Sequence, residues 1–182
     1  MSTTEVDEKP QNSRGTGGKR PGTALTLDII GLLARLSLGG VLLVAGYIKA
    51  VDFDASVRSV VAYDLFDFRV AEFIGITLPI IEIAVGLTLI LGLFTRLSGA
   101  LGALLMVIFI AGIASAWARG LSIDCGCFGT GGPVDPSATR YLEEIIRDIA
   151  LGLAGLWLVV RPHTLFAVDG LLGRRAPDER ND

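Results

Sequence analysis

The chain is poor in charge. Only 19% of its 182 residues are Asp, Glu, Lys or Arg, whereas a soluble globular domain carries roughly a quarter. Those present crowd into the two ends and a few loops. Basic residues are not in excess either: the formal net charge is −3, which excludes the electrostatic footprint of a nucleic-acid binder. Cysteine is nearly absent, with two residues separated by a single glycine, too few for a disulfide scaffold. Histidine occurs once. What fills the sequence is apolar residue, 51% of the total, in runs that fit neither a soluble enzyme nor a disordered chain. The composition is that of a membrane protein.

A bilayer core about 30 Å thick takes roughly 20 apolar residues in a helix. Ile29–Ile48 meets that length with only Arg35 inside it, Phe73–Leu93 with only Glu82, and Leu97–Trp117 with no charge. Ile149–Val160 is too short alone; extended back to Leu142 it takes in Glu143, Glu144, Arg147 and Asp148. Asp135-Pro136 reads as the start of that last helix, an N-cap carboxylate followed by proline at the first helical position, so its first two turns fall in headgroup or water. In lipid the backbone must satisfy its own hydrogen bonds, and runs of about 20 are helices rather than barrel strands. The expected fold is all-α: a polytopic membrane protein, a four-transmembrane-helix bundle over residues 25–162, with spans at 29–48, 73–93, 97–117 and 142–160.

Residues 1–24 read as a disordered tail, too polar for a signal peptide, and the first span is too long for one and should stay as an anchor. After Pro162, residues 163–182 hold a short apolar patch, Leu165–Val168, expected as a frayed interfacial helix, and then a polar end. Nine basic residues fall on the side of the two tails and the Arg96 turn, and six on the other. That bias favours both termini in the cytoplasm of a multi-pass cell-membrane protein and places the loop 118–141 outside.

That outward loop carries both cysteines, in the run Asp124-Cys125-Gly126-Cys127-Phe128-Gly129. A disulfide between residues i and i+2 closes a small strained ring, and the intervening glycine supplies unusual backbone angles. Strain makes such a bond exchangeable rather than a permanent staple, and an oxidising compartment is where it would be useful. Two other readings stand beside redox exchange. One is a purely structural turn. The other is a metal site, which needs three or four ligands, while the single histidine, His163, falls on the opposite side; no metal is expected.

Two charges lie within the spans. Arg35 sits about 9 Å and Glu82 about 13 Å from the nearer membrane edge at 1.5 Å per residue. Each should find a partner or a wet cavity. Arg35 can snorkel to the headgroups or extend toward Glu82. Glu82, three residues after Pro79, is the stronger functional candidate, as a proton acceptor, as the counter-charge to Lys49 or Arg147, or as a protonated structural residue. Between the first two spans, Val57, Val60, Val61, Leu65 and Phe66 recur at near-helical spacing among Asp52, Asp54, Asp64 and Asp67. They suggest a short amphipathic helix on the outer surface, close to the cysteine loop, serving as a lid or as a docking face. Ser98/Gly102 and Gly112/Ala116 would let helices approach closely.

In order along the chain, Ala45-Gly46-Tyr47-Ile48-Lys49, Leu78-Pro79-Ile80-Ile81-Glu82 and Cys125-Gly126-Cys127-Phe128-Gly129 resemble the MauE family, within the wider DoxX/DoxD-like grouping of four-span membrane proteins. The resemblance covers about residues 27–162. It implies a role in maturing a partner protein outside the cytoplasm: the namesake serves methylamine utilisation, helping disulfides form in a methylamine dehydrogenase subunit alongside a thioredoxin-like protein. What carries over is the redox role. The expected function is a thiol–disulfide relay component in which Cys125 and Cys127 exchange with an extracytoplasmic thioredoxin-like partner, while Glu82 and Lys49 tune their surroundings, since a nearby cation favours the reactive thiolate. No cofactor motif is evident, and a membrane quinone is the candidate for where electrons go next. The alternative is a non-enzymatic accessory subunit that grips a larger membrane complex through the surface helix. A small transporter is the weakest reading, because two broken helices and an internal repeat are missing.

Overall fold

The computed structural model describes residues 22–126 and 131–162; residues 1–21, the stretch 127–130 and residues 163–182 lie outside what is described. Of the tail expected over 1–24, residues 1–21 fall outside the described residues, as do the apolar patch Leu165–Val168, His163, Cys127, Phe128 and Gly129, while residues 22–24 already belong to the first helix. The described residues fold into four long helices and one short one: α1 (Gly22–Val51), α2 (Phe53–Ala62), α3 (Phe68–Leu91), α4 (Thr95–Ala118) and α5 (Tyr141–Val160). Between α4 and α5 lie two short strands, β1 (Ile123–Asp124) and β2 (Gly132–Pro133), and a single 3-10 turn at Pro136–Ala138. The protein is an all-α polytopic membrane protein. Leu25–Val51, Phe68–Leu91 and Thr95–Ala118 are each long and apolar enough to cross a bilayer. The fourth long helix, α5, carries four charged residues in its first eight positions, as its sequence requires.

Each boundary has a local cause. Asp52 caps α2, its Oδ1 accepting the Ala55 N–H at 2.8 Å, and Asp67 caps α3 by accepting from Val70 at 3.3 Å. Both place a carboxylate on the free N–H groups of a first turn. The second span ends at Leu91 and not at Leu93, because Gly92 turns left-handed (φ 70°) and lets the Leu93 N–H reach back to the Thr88 carbonyl at 2.9 Å, the Schellman closure that glycine favours. The start of α5 differs from expectation. Asp135 and Pro136 initiate only the 3-10 turn, where the Asp135 carboxylate is taken up by the Ser137 N–H and hydroxyl. The helix proper begins at Tyr141 with no side-chain cap.

Helix α4 packs on α5, and α1 packs on α3 and α5. Apolar surface has no reason to leave lipid for another apolar helix, so close packing at small residues must hold such a bundle together. Gly46 of α1 sits so near Pro79, Glu82 and Ile83 that an added Cβ would lie 2.9 Å from each, and Gly86 of α3 meets the backbone of Gly39 and Leu43 equally closely. On the other side, Gly99 and Gly155 bring α4 and α5 together backbone to backbone. Of the small-residue pairs singled out from sequence, Gly102 faces Leu38 of α1, while Gly112 lies against Tyr63. Leu38, Leu42, Leu89, Met106 and Leu158 fill the core between these contacts. Large apolar side chains such as Phe73, Ile80, Val107, Leu153 and Val160 point outward, where lipid covers them.

The short helix stands where the valine pattern suggested, but it ends at Ala62, leaving Leu65 and Phe66 exposed beyond it. Its inward face is also not the valine face. Ser56 and Ser59 are the buried residues, and Ser56 donates to the Gly75 carbonyl of α3 at 2.7 Å. Small hydroxyls face inward because Gly75 draws α2 so close to α3 that Val57 already touches it.

Candidate functional site

Lys49 and Glu82 meet inside the bundle. The Lys49 Nζ donates to Glu82 Oε1 at 2.6 Å, with the two side chains 8% and 0% exposed. Phe109 of α4 adds a ring face 5.2 Å from the ammonium, a distance at which the π-cloud attracts a cation. Of the two cations weighed as counter-charges to Glu82, Lys49 takes the role, and Arg147 instead pairs with Asp148 at 2.9 Å. Gly46 makes the ion pair geometrically accessible, since α1 can approach Pro79 and Glu82 only without a Cβ there. Arg35 does not snorkel: it is 2% exposed, enclosed by the bundle rather than extended to its rim.

Cys125 lies at the end of the bundle where α4 leaves and α5 enters. Its segment is tied down from several directions. Strands β1 and β2 pair antiparallel, Ile123 opposite Pro133 and Asp124 opposite Gly132. Tyr141, the first residue of α5, threads its hydroxyl between two loop groups, accepting the Ile123 N–H at 2.9 Å and donating to the Leu121 carbonyl at 2.6 Å. The Tyr63 hydroxyl reaches the Cys125 carbonyl at 3.3 Å. Helix α2 presses on the loop through Ser59, against which both Gly126 (φ 71°) and Gly131 (φ 64°) lie so closely that no Cβ would fit. Arg119 completes the clamp by donating to the backbone carbonyls of Tyr63 and Asp64. The surface helix and the cysteine loop are thus neighbours, as their sequence pattern suggested.

The Cys125 thiol is 8% exposed and hydrogen-bonds the carboxyl group of Glu144 on α5. Asp124 completes the group: the thiol and the two carboxyls bring one polar atom each to within 4.8 Å of one another. Asp124 Oδ1 accepts the Gly126 N–H at 2.8 Å, which shapes the turn carrying the cysteine. One helical turn on from Glu144, Asp148 is 1% exposed and held by Arg147. Among the described residues three atoms that can ligate a metal gather here, where a closed zinc site has four. The described partner of the thiol is a carboxyl, which makes this a thiol–carboxylate cluster.

Of the four site residues expected from sequence, the structure joins Lys49 to Glu82 and places Cys125 apart from that pair, on Glu144. Cys127 lies outside the described residues. Glu144, Asp148 and Tyr141 were not anticipated as members of the site. Their i, i+4 spacing puts Glu144 and Asp148 on one face of α5, which was a readable signal. That the face would meet Cys125 depends on the path of a glycine-rich loop and was not.

Residues 27–161 match the family described as Methylamine utilisation protein MauE. The chain belongs to that family. Comparison with the curated proteins and with the solved structures returned no match. The MauE match covers all four long helices apart from the first turn of α1, together with the surface helix, the Lys49–Glu82 pair and the Cys125 loop. It leaves out both ends of the chain.

Proposed function

We propose that this MauE-family protein is a thiol–disulfide relay component, using Cys125 and Cys127 to support the maturation of a partner protein in methylamine utilisation. The observation that carries the reading is the Cys125 thiol hydrogen-bonded to a carboxyl at the end of a membrane bundle. A merely structural cysteine is ordinarily packed among apolar groups, while a reactive one sits beside groups that govern its proton. The basic-residue bias supports an orientation in the cell membrane with both termini in the cytoplasm and the cysteine loop outside it, where a thioredoxin-like protein can reach it. Oxidation of a partner dithiol to its disulfide would leave two electrons and two protons on Cys125 and Cys127 as thiols. A two-electron acceptor of the quinone class, dissolved in the bilayer, would reset the pair. Lys49 and Glu82, deeper in the bundle, lie on the membrane side of that transfer.

The test is thiol trapping in cells with a membrane-impermeant alkylating reagent, before and after reduction. A relay predicts a fraction of Cys125 and Cys127 that labels only after reductant, and loss of partner disulfides in Cys125→Ser. Full labelling without reductant, together with unchanged partner disulfides in Cys125→Ser, would sink the proposal. An accessory subunit that only grips a larger complex predicts that second pattern, with charge reversal at Asp64 or Asp67 releasing a co-purifying partner.

A further inference from the structure

Behind the cysteine runs a line of ionisable groups. Cys125 bonds Glu144; Asp148 follows one turn along α5, about 6 Å further on. Asp148 lies in the field of Lys49, and Lys49 grips Glu82 at 2.6 Å. Three acceptor oxygens on this line are buried with no hydrogen-bond partner among the described residues: Glu144 Oε2, Asp148 Oδ2 and Glu82 Oε2. A buried oxygen left without a donor costs about 1–3 kcal/mol, and most buried polar atoms in proteins avoid that state. The one beside the thiol, on Glu144, is an acceptor for its proton. Arg147 pairs with Asp148 Oδ1 at 2.9 Å and its charge also acts on Glu144.

We propose that Glu144 is the catalytic residue that takes the proton from the Cys125 thiol and returns it during thiol–disulfide exchange, with Asp148 as the positioning residue that holds Arg147 beside it. The inference rests on the exchange reading given above. The proton passes from Cys125 Sγ to a Glu144 carboxylate oxygen. The thiolate then forms a bond to one sulfur of a partner disulfide, the partner S–S bond breaks, and the leaving sulfur departs with the bonding electron pair and takes the proton from Glu144. In the reverse direction Glu144 protonates Cys125 Sγ as the mixed disulfide breaks. A base within hydrogen-bond reach of the proton it moves is the geometry that general acid–base catalysis requires. The charged and titratable groups facing the pair are Asp124 from β1, Arg147 and Asp148 from α5, Tyr63 from beyond α2, and Lys49 with Glu82 from α1 and α3.

The test uses the full-length protein in detergent micelles with Cys127→Ser, so that Cys125 alone reports. Its alkylation rate by iodoacetamide is followed from about pH 5 to about pH 10, the range over which carboxyls and thiols titrate. With Glu144 in place the profile has two steps, because a coupled pair gives up its protons in two macroscopic stages. Glu144→Gln removes the lower step, with a loss of about tenfold or more there. It also leaves a single thiol step displaced to lower pH, since a neighbouring carboxylate disfavours the thiolate. Glu144→Asp restores the two-step form. Glu143→Gln, at an exposed neighbour paired with Arg140, leaves it unchanged. Asp148→Asn weakens the lower step by releasing Arg147 from its place beside Glu144.

A Glu144→Gln profile that keeps both steps, or falls by one factor at every pH, overturns the inference, because a structural role changes access without changing shape. If Cys125 and Cys127 exchange in cells while that profile is unaltered, the inference falls and the exchange reading stands. If the profile collapses as described while the cysteines never exchange, Glu144 still governs the thiol proton and it is the exchange reading that fails.

Discussion

Two sites in this bundle place a carboxyl beside a second functional group, and they are built on opposite plans. At Lys49–Glu82 one acid meets one base, on two rigid helices that glycine brings into backbone contact. Around Cys125, three carboxyls (Asp124, Glu144 and Asp148) face one arginine and a thiol, on a loop and the first turns of a helix. The first site is matched in charge, as a bilayer demands of ions it encloses. The second has more acceptors than cations to fill them, which is unfavourable for stability and useful for moving a proton. The first pair is enclosed, with side chains 8% and 0% exposed, whereas at the second Cys125 and Asp148 are buried and Asp124 and Glu144 only half-buried. The further difference is whether the charge is balanced, and substitutions can break that contrast.

The largest effect should come from unbalancing the matched pair. Glu82→Leu leaves the Lys49 ammonium, 8% exposed, without its ion-pair partner, with the Phe109 ring and the field of Asp148 as what remains. Removing one partner of a buried pair costs about 3–5 kcal/mol, so thermal unfolding in micelles should shift steeply downward. The double replacement Glu82→Leu with Lys49→Met should recover most of the loss, because it removes both charges. If the double variant is no better than the single one, the pair does not act as a matched unit.

Next comes the clamp on the cysteine loop. Gly131→Ala puts a Cβ only 1.5 Å from the Ser59 hydroxyl at a φ of 64°. Left-handed strain contributes about 1–2 kcal/mol and overpacking about 1–3 kcal/mol. The expected result is release of the loop from α2, read as faster alkylation of Cys125 with little change at Lys49–Glu82. Loss of the whole fold would show that the two sites are not separable.

These two predictions also mark what the sequence made legible. The Lys49–Glu82 pair could be anticipated because each residue is a lone charge next to or within an apolar run, and lipid leaves such a charge few options. The helices followed from run length, and the surface helix from its spacing. Arg35 was ambiguous because a long side chain can run either to the rim or into the bundle, and only packing decides. The Cys125 cluster was half legible. Its cysteine stood out, but its carboxyls belonged to a helix start that looked merely polar. Asp135-Pro136 carried a strong capping signal and used it on a single 3-10 turn, because Thr139 turns back to extended backbone before Tyr141. Local chemistry names a cap; it does not say how long the helix behind it will be.

A smaller loss should follow Tyr141→Phe. Its hydroxyl holds the Ile123 N–H and the Leu121 carbonyl together, and Ile123 is buried. Leaving a buried donor unsatisfied costs about 1–3 kcal/mol. Hydrogen exchange should rise at the Ile123 amide and stay unchanged along α1 and α3. Because the Tyr141 hydroxyl bonds the loop backbone and the substitution keeps the ring, the two-step pH profile of Cys125 should survive. Its collapse would mean that the profile reports loop order rather than the Glu144 carboxyl.

The smallest effect belongs to Asp135, a carboxylate that is neither matched with a cation nor set beside a thiol. The Ser137 hydroxyl and the Ser137 N–H both donate to it and hold its carboxyl below the ordinary value of 3.8. A depressed value means that the turn's stabilisation is fully present above the ordinary value and is lost as pH falls through the lowered one. The Ser137 amide signal should therefore stay constant across neutral and mildly acidic solution and move only in strong acid. Asp135→Asn should loosen the 3-10 turn and leave α5, which begins at Tyr141 without a side-chain cap, where it is. It should also leave Cys125 alkylation unchanged at every pH. If Asp135→Asn shifts that profile, long-range charge around the loop rather than contact with Glu144 governs the thiol, and the contrast between matched and unmatched carboxyls loses its basis.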